Sequence, residues 1–337
     1  MRQLVRGTIR LLAWTLLLIV MVVAGTLTTC RYQADGREKL APAQAAPATG
    51  RLVDAGDTNI FVQQMGPDDA PVVLFVHGTG AWSGLWQRTL ERTASAGFRA
   101  IAIDVPPFGF SAKPPQISYS KVAQGMRIVK VLESLGIARV ILVGHSFGAG
   151  PTVEAALLQP DRVAQLILVD GALNIQPAGA SLDHSTVASQ LTHGLLRWDP
   201  VRDALVATFV TNPTFTRKLL QMMIADPARA TDEVVEVLQQ PMQVQGTTAA
   251  VGRWLPELAD PHTLAASQTP AQYSKLTMPV TLLWGELDTI TPMAQAQRLH
   301  ELMPQARLEV LDKVGHIPQV EDPAAFNDAL IHALTSP

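Results

Sequence analysis

Cysteine is almost absent. Cys30 is the only one in 337 residues, so no disulfide can close within the chain. Charge is sparse too: charged residues make up 16%, the net charge is -3, and no Lys/Arg run occurs anywhere. That balance excludes a nucleic-acid partner on electrostatic grounds and leaves a small molecule as the expected one. Acidic residues are missing from the front of the chain, the first being Asp35. No internal repeat is visible. What is abundant is apolar: 47% of the residues are hydrophobic, enough for a sizeable core and contrary to disorder. The length exceeds one typical domain and fits a single large α/β domain with an insertion.

The first thirty residues differ from the rest. Arg2, Arg6 and Arg10 precede Leu11 to Cys30, a stretch without a charged residue. As a helix it would be about 30 Å long, the thickness of a bilayer's hydrocarbon core. Trp14 would then sit near one interface. The reading is an uncleaved membrane anchor over residues 1–30. The alternative is a secretory signal that is removed. The apolar run exceeds a usual signal core, and Ala43-Gln44-Ala45 lies too far beyond it to be the cleavage site. Leu27-Thr28-Thr29-Cys30 loosely resembles a bacterial lipoprotein processing site, with Thr29 a poor fit. The amino terminus and the acid-free front tilt the orientation towards a catalytic domain outside the cytoplasm. Residues 31–50 mix charge, Ala and Pro without periodicity and read as a tether.

From Arg51 onward short apolar runs alternate with helical patterns. Val72 to His77, Arg99 to Asp104, Val140 to Gly144, Leu166 to Asp170 and Val280 to Gly285 are rich in Val, Ile and Leu without alternation. Such runs suit strands buried on both faces. Helical stretches such as Ser120 to Leu135 and Ser146 to Leu158 lie between them. The fold class expected is therefore α/β, a mostly parallel doubly wound sheet. Asn59 to Gln64 alternates and fits an antiparallel lead-in hairpin. Between Asp170 and Val280 no central strand is evident, whereas Phe209 to Ile224, Thr231 to Gln239 and Thr247 to Leu258 look helical. A structureless loop of that length is implausible, so this is a helical insertion.

The chemistry centres on Gly144-His145-Ser146-Phe147-Gly148, which follows a strand and opens a helix. A serine on a sharp strand-to-helix turn needs slim neighbours on both sides. Its hydroxyl is a poor nucleophile until a base takes the proton, and the base needs an orienting acid. Of eight histidines, His300 and His332 lie in helical patterns, and His184, His193 and His262 belong to the insertion. His316 sits in a loop just after the strand-like Arg307 to Leu311, where a sheet presents catalytic groups. Asp288 lies immediately beyond the strand that ends in Trp284-Gly285. The order Ser146, Asp288, His316 suits such a sheet, with Asp170 and Glu286 as competing acids. A developing oxyanion needs preorganised donors. The backbone N–H groups of Phe147 and of Thr79, in His77-Gly78-Thr79-Gly80, are the candidates.

These segments together resemble the α/β-hydrolase fold family. The resemblance rests on His77-Gly78-Thr79-Gly80 with Trp82 and Trp86, Asp104 to Ser111, Gly144 to Gly148, Trp284 to Asp288, and Gly315-His316, in that order. It covers roughly residues 51–337. It implies a core of residues 51–172 and 276–337, with residues 173–275 as a helical cap over the active site. One departure is Pro107, where family members often have Gly in a loop that is usually structural. Haloalkane dehalogenases and epoxide hydrolases carry Asp where Ser146 stands, which argues against those activities.

The expected function is hydrolysis of a carboxylic ester through an acyl-enzyme, with no cofactor or metal. Alternatives are the C–C bond hydrolysis of meta-cleavage-product hydrolases, a lactonase, a membrane-surface lipase, and a silent membrane-tethered binding protein reusing the fold. Met222, Met223, Met242, Trp198 and Trp254 either line an acyl pocket or form cap core. The oligomeric state is not legible. A histidine base must be neutral to accept a proton, so the pH–rate profile is expected to rise as pH passes roughly 6 to 7. A flat profile across that range would remove histidine as the base.

Overall fold

The computed structural model describes residues 2–175, 198–259 and 265–336. His184, His193 and His262 lie outside them, as do parts of the expected cap.

The apolar runs form one mixed eight-stranded sheet in the order β1-β2-β4-β3-β5-β6-β7-β8. The strands are β1 Gly50–Asp54, β2 Asn59–Met65, β3 Val72–Val76, β4 Arg99–Ile103, β5 Val140–His145, β6 Val163–Val169, β7 Val280–Gly285 and β8 Arg307–Leu311. β1 and β2 pair antiparallel, and β2 runs antiparallel to β4; every other neighbouring pair is parallel. Parallel strands need covered crossovers, and the helices supply the cover. The main ones are α1 Arg2–Arg37, α2 Gln87–Ser95, α3 Lys121–Ser134, α4 Ala149–Leu158, α5 Asp199–Phe209, α6 Pro213–Gln221, α7 Asp232–Gln239, α8 Thr247–Ala259, α9 Met293–Leu302 and α10 Pro323–Thr335.

Side chains alternate across the pleat, so the sheet has two cores. Leu74 and Val76 of β3 face Ile128 and Leu132 of α3, Val153 of α4 and Leu299 of α9. Val73 and Phe75 face Trp86, Leu90 of α2, and Phe326 and Leu330 of α10. All of these are essentially inaccessible to solvent. With parallel register, β3, β5, β7 and β8 end on the same edge. The residues that follow them, His77, Ser146, Glu286 to Asp288 and Gly315-His316, are thereby gathered at one place.

Between β6 and β7 the described residues carry α5 to α8. Phe209 to Ile224 is not one helix. The chain breaks between α5 and α6 because Pro213 cannot extend α5, and Asn212 caps the new helix by accepting from the Thr214 N–H. Thr231 caps α7 in the same way through the Val234 N–H. Trp82 of the core donates its indole N–H to the Val237 carbonyl at 2.6 Å, tying α7 to the body.

Residues 31–50 are not a free tether. α1 continues without interruption through Cys30 to Arg37 and packs on α5. Ala34 and Glu38, one turn apart, are both buried. Glu38 accepts from the backbone N–H and hydroxyl of Thr248 on α8, and the Arg37 guanidinium donates to the Thr211 and Met242 carbonyls. Leu40 then exchanges backbone hydrogen bonds with Gln243 and Gln245. Composition misleads here because the polar groups of this segment find partners on the insertion rather than in water.

Burial pushes the Glu38 carboxyl above its ordinary pKa, partly offset by its bonds to Thr248. Glu38→Ala would strand the Thr248 donors in a buried place. It is expected to lower stability by about 1–3 kcal/mol, read as a lower Tm in detergent, with Glu38→Gln milder. An unchanged Tm for Glu38→Ala would mean the strap carries no stability.

Candidate active site

Ser146 has φ 51°, a left-handed conformation that a serine adopts only when its surroundings impose it. The flanking glycines show how. A Cβ on Gly144 would lie 2.5 Å from Thr152 Oγ1, and one on Gly148 would lie 2.5 Å from the His77 carbonyl oxygen. Any side chain there would push α4 or the β3 exit away. Gly78 is equally tight: its Cβ would stand 2.9 Å from Ser146 Cβ. The loop carrying Thr79 therefore runs directly against the serine turn. The Phe147 amide lies at the start of the helical turn leading into α4.

His316 Nε2 is 2.8 Å from Ser146 Oγ, and His316 Nδ1 is 2.8 Å from Asp288 Oδ2. An ionised carboxylate only accepts, so Nδ1 carries the proton and Nε2 is left free to accept from the serine. His316 is fully buried, and Ser146 and Asp288 nearly so. Asp288 is held from behind. Its Oδ1 accepts from the Ile290 and Thr291 N–H groups at 2.7 and 2.9 Å, and its Oδ2 accepts from the Thr291 hydroxyl at 2.5 Å. Burial alone would raise this carboxyl. The bond to His316, the charge of His316 and the Thr291 donors outweigh it, and Asp288 lies below the ordinary carboxylate range.

The competing acids are placed elsewhere. Glu286 is exposed and accepts from the Lys313 N–H at 3.0 Å. Asp170 is close but does not bond His316. It is fully buried at φ 45°, with Oδ1 accepting from the Gly285 N–H at 2.8 Å. Burial, and then the neighbouring Asp288 charge, push its pKa well up. Both influences act in the same sense, favouring the uncharged form of Asp170, whereas the partners of Asp288 favour its charged form. Ligand atoms of Asp170, Asp288 and His316 lie within 4.8 Å of one another. A cation there would compete with the His316–Asp288 hydrogen bond.

Two residues have roles that the sequence did not signal. His145, the second residue of the Gly-x-Ser-x-Gly turn, bonds the His316 carbonyl through Nε2 at 2.8 Å. Burial and the adjacent His316 lower its pKa to about 3, so it stays neutral. His77 accepts the Val105 N–H on Nε2 at 2.9 Å, and burial lowers its pKa to about 4. Nothing in their spacing distinguishes such supports from ordinary strand-end residues.

Among the described residues, Met223 and Trp254 bring the insertion to the site. Met223 accepts the His316 N–H at 3.2 Å. Trp254 of α8, buried, stands edge-on to Phe147 and Phe108, with ring centroids 5.4 and 5.1 Å away. Trp198 and Met222 are instead largely exposed, and Met223 and Met242 are half-buried.

The family model described as alpha/beta hydrolase fold matches residues 71–323. The chain belongs to the α/β-hydrolase fold family. A 2-hydroxy-6-oxononadienedioate/2-hydroxy-6-oxononatrienedioate hydrolase of a Pseudomonas species is 28% identical over 84% of this chain and 94% of that protein. The structure of a meta-cleavage product hydrolase from Pseudomonas fluorescens superposes with a TM-score of 0.68 at 23% identity, over 85% of this chain and 98% of that one. A membrane phospholipase A, described as a bacterial virulence factor, gives 0.67 at 23% identity over 99% of this chain and 98% of its own. Hydrolase chemistry is thus supported at the level of the family.

Asp288→Asn would leave His316 without a proton acceptor on Nδ1 and is expected to lower kcat by ~10³–10⁴-fold. Asp170→Asn, near-isosteric and at a side chain with no bond to the imidazole, should stay within roughly tenfold of the parent. Kinetics on one chromogenic substrate decide it. The reverse ranking would make Asp170 the orienting acid.

Proposed function

We propose that this protein is a serine hydrolase that opens a bond to a carbonyl carbon through an acyl-Ser146 intermediate. The observation that carries the reading is the unbroken hydrogen-bond line from Ser146 through His316 to Asp288. In the first step Ser146 Oγ adds to the carbonyl as His316 Nε2 takes its proton. Asp288 steadies the imidazolium through Nδ1. The Thr79 and Phe147 amides hold the oxyanion. The proton then goes to the leaving group, and water releases the acyl group by the reverse path. None of these steps calls for a cofactor.

For the bond cleaved, the named relatives support a C–C bond more than an ester. A carbon leaving group departs only if its electron pair is delocalised. A 2-hydroxy-6-oxo-dienoate achieves this after tautomerising to the 2-keto form, because the carbanion released next to the attacked ketone is conjugated with that 2-keto group. His316 then supplies the proton that completes the dienol product.

A second reading, an ester held at a membrane, draws on α1. Thr8–Arg37 is long and apolar enough to cross a bilayer, and Leu11 to Val23 are all exposed. We read it as an anchor with the catalytic domain on the extracytoplasmic side.

Ser146→Ala should abolish both turnover and fluorophosphonate labelling while leaving the fold intact. Retained activity would refute the acyl-serine route, and an unlabelled parent would favour a silent binding protein. A panel of 2-hydroxy-6-oxo-dienoates, soluble short-chain esters, lactones and emulsified long-chain esters separates the scissile-bond readings by kcat/KM.

A further inference from the structure

α6 presents an apolar stripe to solvent. Phe215, Leu219 and Met222 are spaced i, i+4, i+7 and are exposed, while Thr216 and Leu220 between them are buried. Phe209 at the end of α5 extends the stripe, its ring centroid 6.1 Å from that of Phe215. A run of large side chains this exposed on one helix face calls for a partner.

The position of α6 indicates which partner. Its capping residue Asn212 lies 3.9 Å from Cys30 Sγ, and Arg37 donates to the adjacent Thr211 carbonyl. Cys30 is the last residue of the uncharged run that begins at Leu11. Trp14 and Tyr32, both largely exposed on α1, are separated by about 27 Å of helix. That is close to the spacing of the two aromatic belts of a bilayer. The α5–α6 turn is therefore fixed at the level of the second belt. The charge on α6 agrees: it carries Arg217 and Lys218 and no acid. Arg217 is engaged by Asp232 and the Ala230 carbonyl, whereas Lys218 is exposed.

We propose that α6 lies in the headgroup layer of the bilayer that α1 spans, with Phe209, Phe215 and Leu219 dipping towards the acyl chains and Lys218 at phosphate level. The proposal rests on reading α1 as a membrane helix. An apolar stripe with a cationic flank is the pattern by which interfacial helices bind anionic lipid surfaces. α6 leads within two residues to Met223, whose carbonyl holds the His316 N–H. Lipid contact would thus be made immediately beside the loop that carries the base.

The test uses the full chain with Cys30→Ala, reconstituted in vesicles of equal parts phosphatidylcholine and phosphatidylglycerol. Single nitroxide labels are placed through Phe215→Cys, Leu17→Cys on α1, and Glu91→Cys on α2, and their collision rates with oxygen and a water-soluble nickel complex are compared. The expected result is an oxygen-to-nickel ratio at Phe215→Cys several-fold above that at Glu91→Cys and below that at Leu17→Cys. A water-like ratio at Phe215→Cys with a lipid-like ratio at Leu17→Cys would overturn the lipid role of α6 alone. Protection from both reagents at Phe215→Cys would overturn it in favour of a second copy of the chain covering the stripe. Water-like ratios at both sites would overturn the membrane reading itself.

Discussion

The strained turn at Ser146 is the constraint on which the rest depends. A serine held in the left-handed region must be clamped by its neighbours, and here the close approaches come from backbone and side-chain atoms of the β3 exit, β5 and α4. These positions exist only because the strands run parallel and stop together. The same common edge brings in Asp288 from β7 and His316 from β8. Their side chains then need only short loops to complete the line to the serine. The sheet therefore works as a positioning device, with its fully buried strands taking up the strain of the turn.

Support for this line comes from outside the three residues themselves. His145 anchors the backbone of His316, the proposed base, and Thr291 fixes the carboxylate of Asp288 that bonds the imidazole. Asp170 shows how burial assigns roles. It stands beside Asp288 at the end of a neighbouring strand, yet it makes no bond to the imidazole, and burial pushes its pKa up where that of Asp288 is lowered. Two carboxyls at corresponding strand ends are thus shifted in opposite directions by their surroundings.

The core was largely readable before the structure, and for a physical reason. Strands buried on both faces must be apolar throughout, so Val72, Val140 and Val280 each open a run that stands out from its surroundings. The serine turn is legible because only glycine fits at positions 144 and 148. The features that the sequence hides depend on partners distant in sequence. Residues 34–40 look like a linker because Glu38 and Arg37 are charged, and their partners, Thr248, Thr211 and Met242, lie about two hundred positions away. The break at Asn212-Pro213 was hidden by apolar spacing that continues across it. The part played by His145 is not visible in the motif, because its hydrogen bond crosses to another loop.

Trp254 gives the insertion a fixed point. Its indole rests edge-on against Phe147, whose amide is one of the proposed oxyanion donors, and against Phe108 beyond it. Repacking the cap by removing this pillar would take away a ring contact from both Phe147 and Phe108 beside Ser146. For anyone grafting a foreign cap onto this core, the graft would have to bring an aromatic ring to that one spot while keeping carbonyl acceptors for the Trp82 indole and the His316 amide.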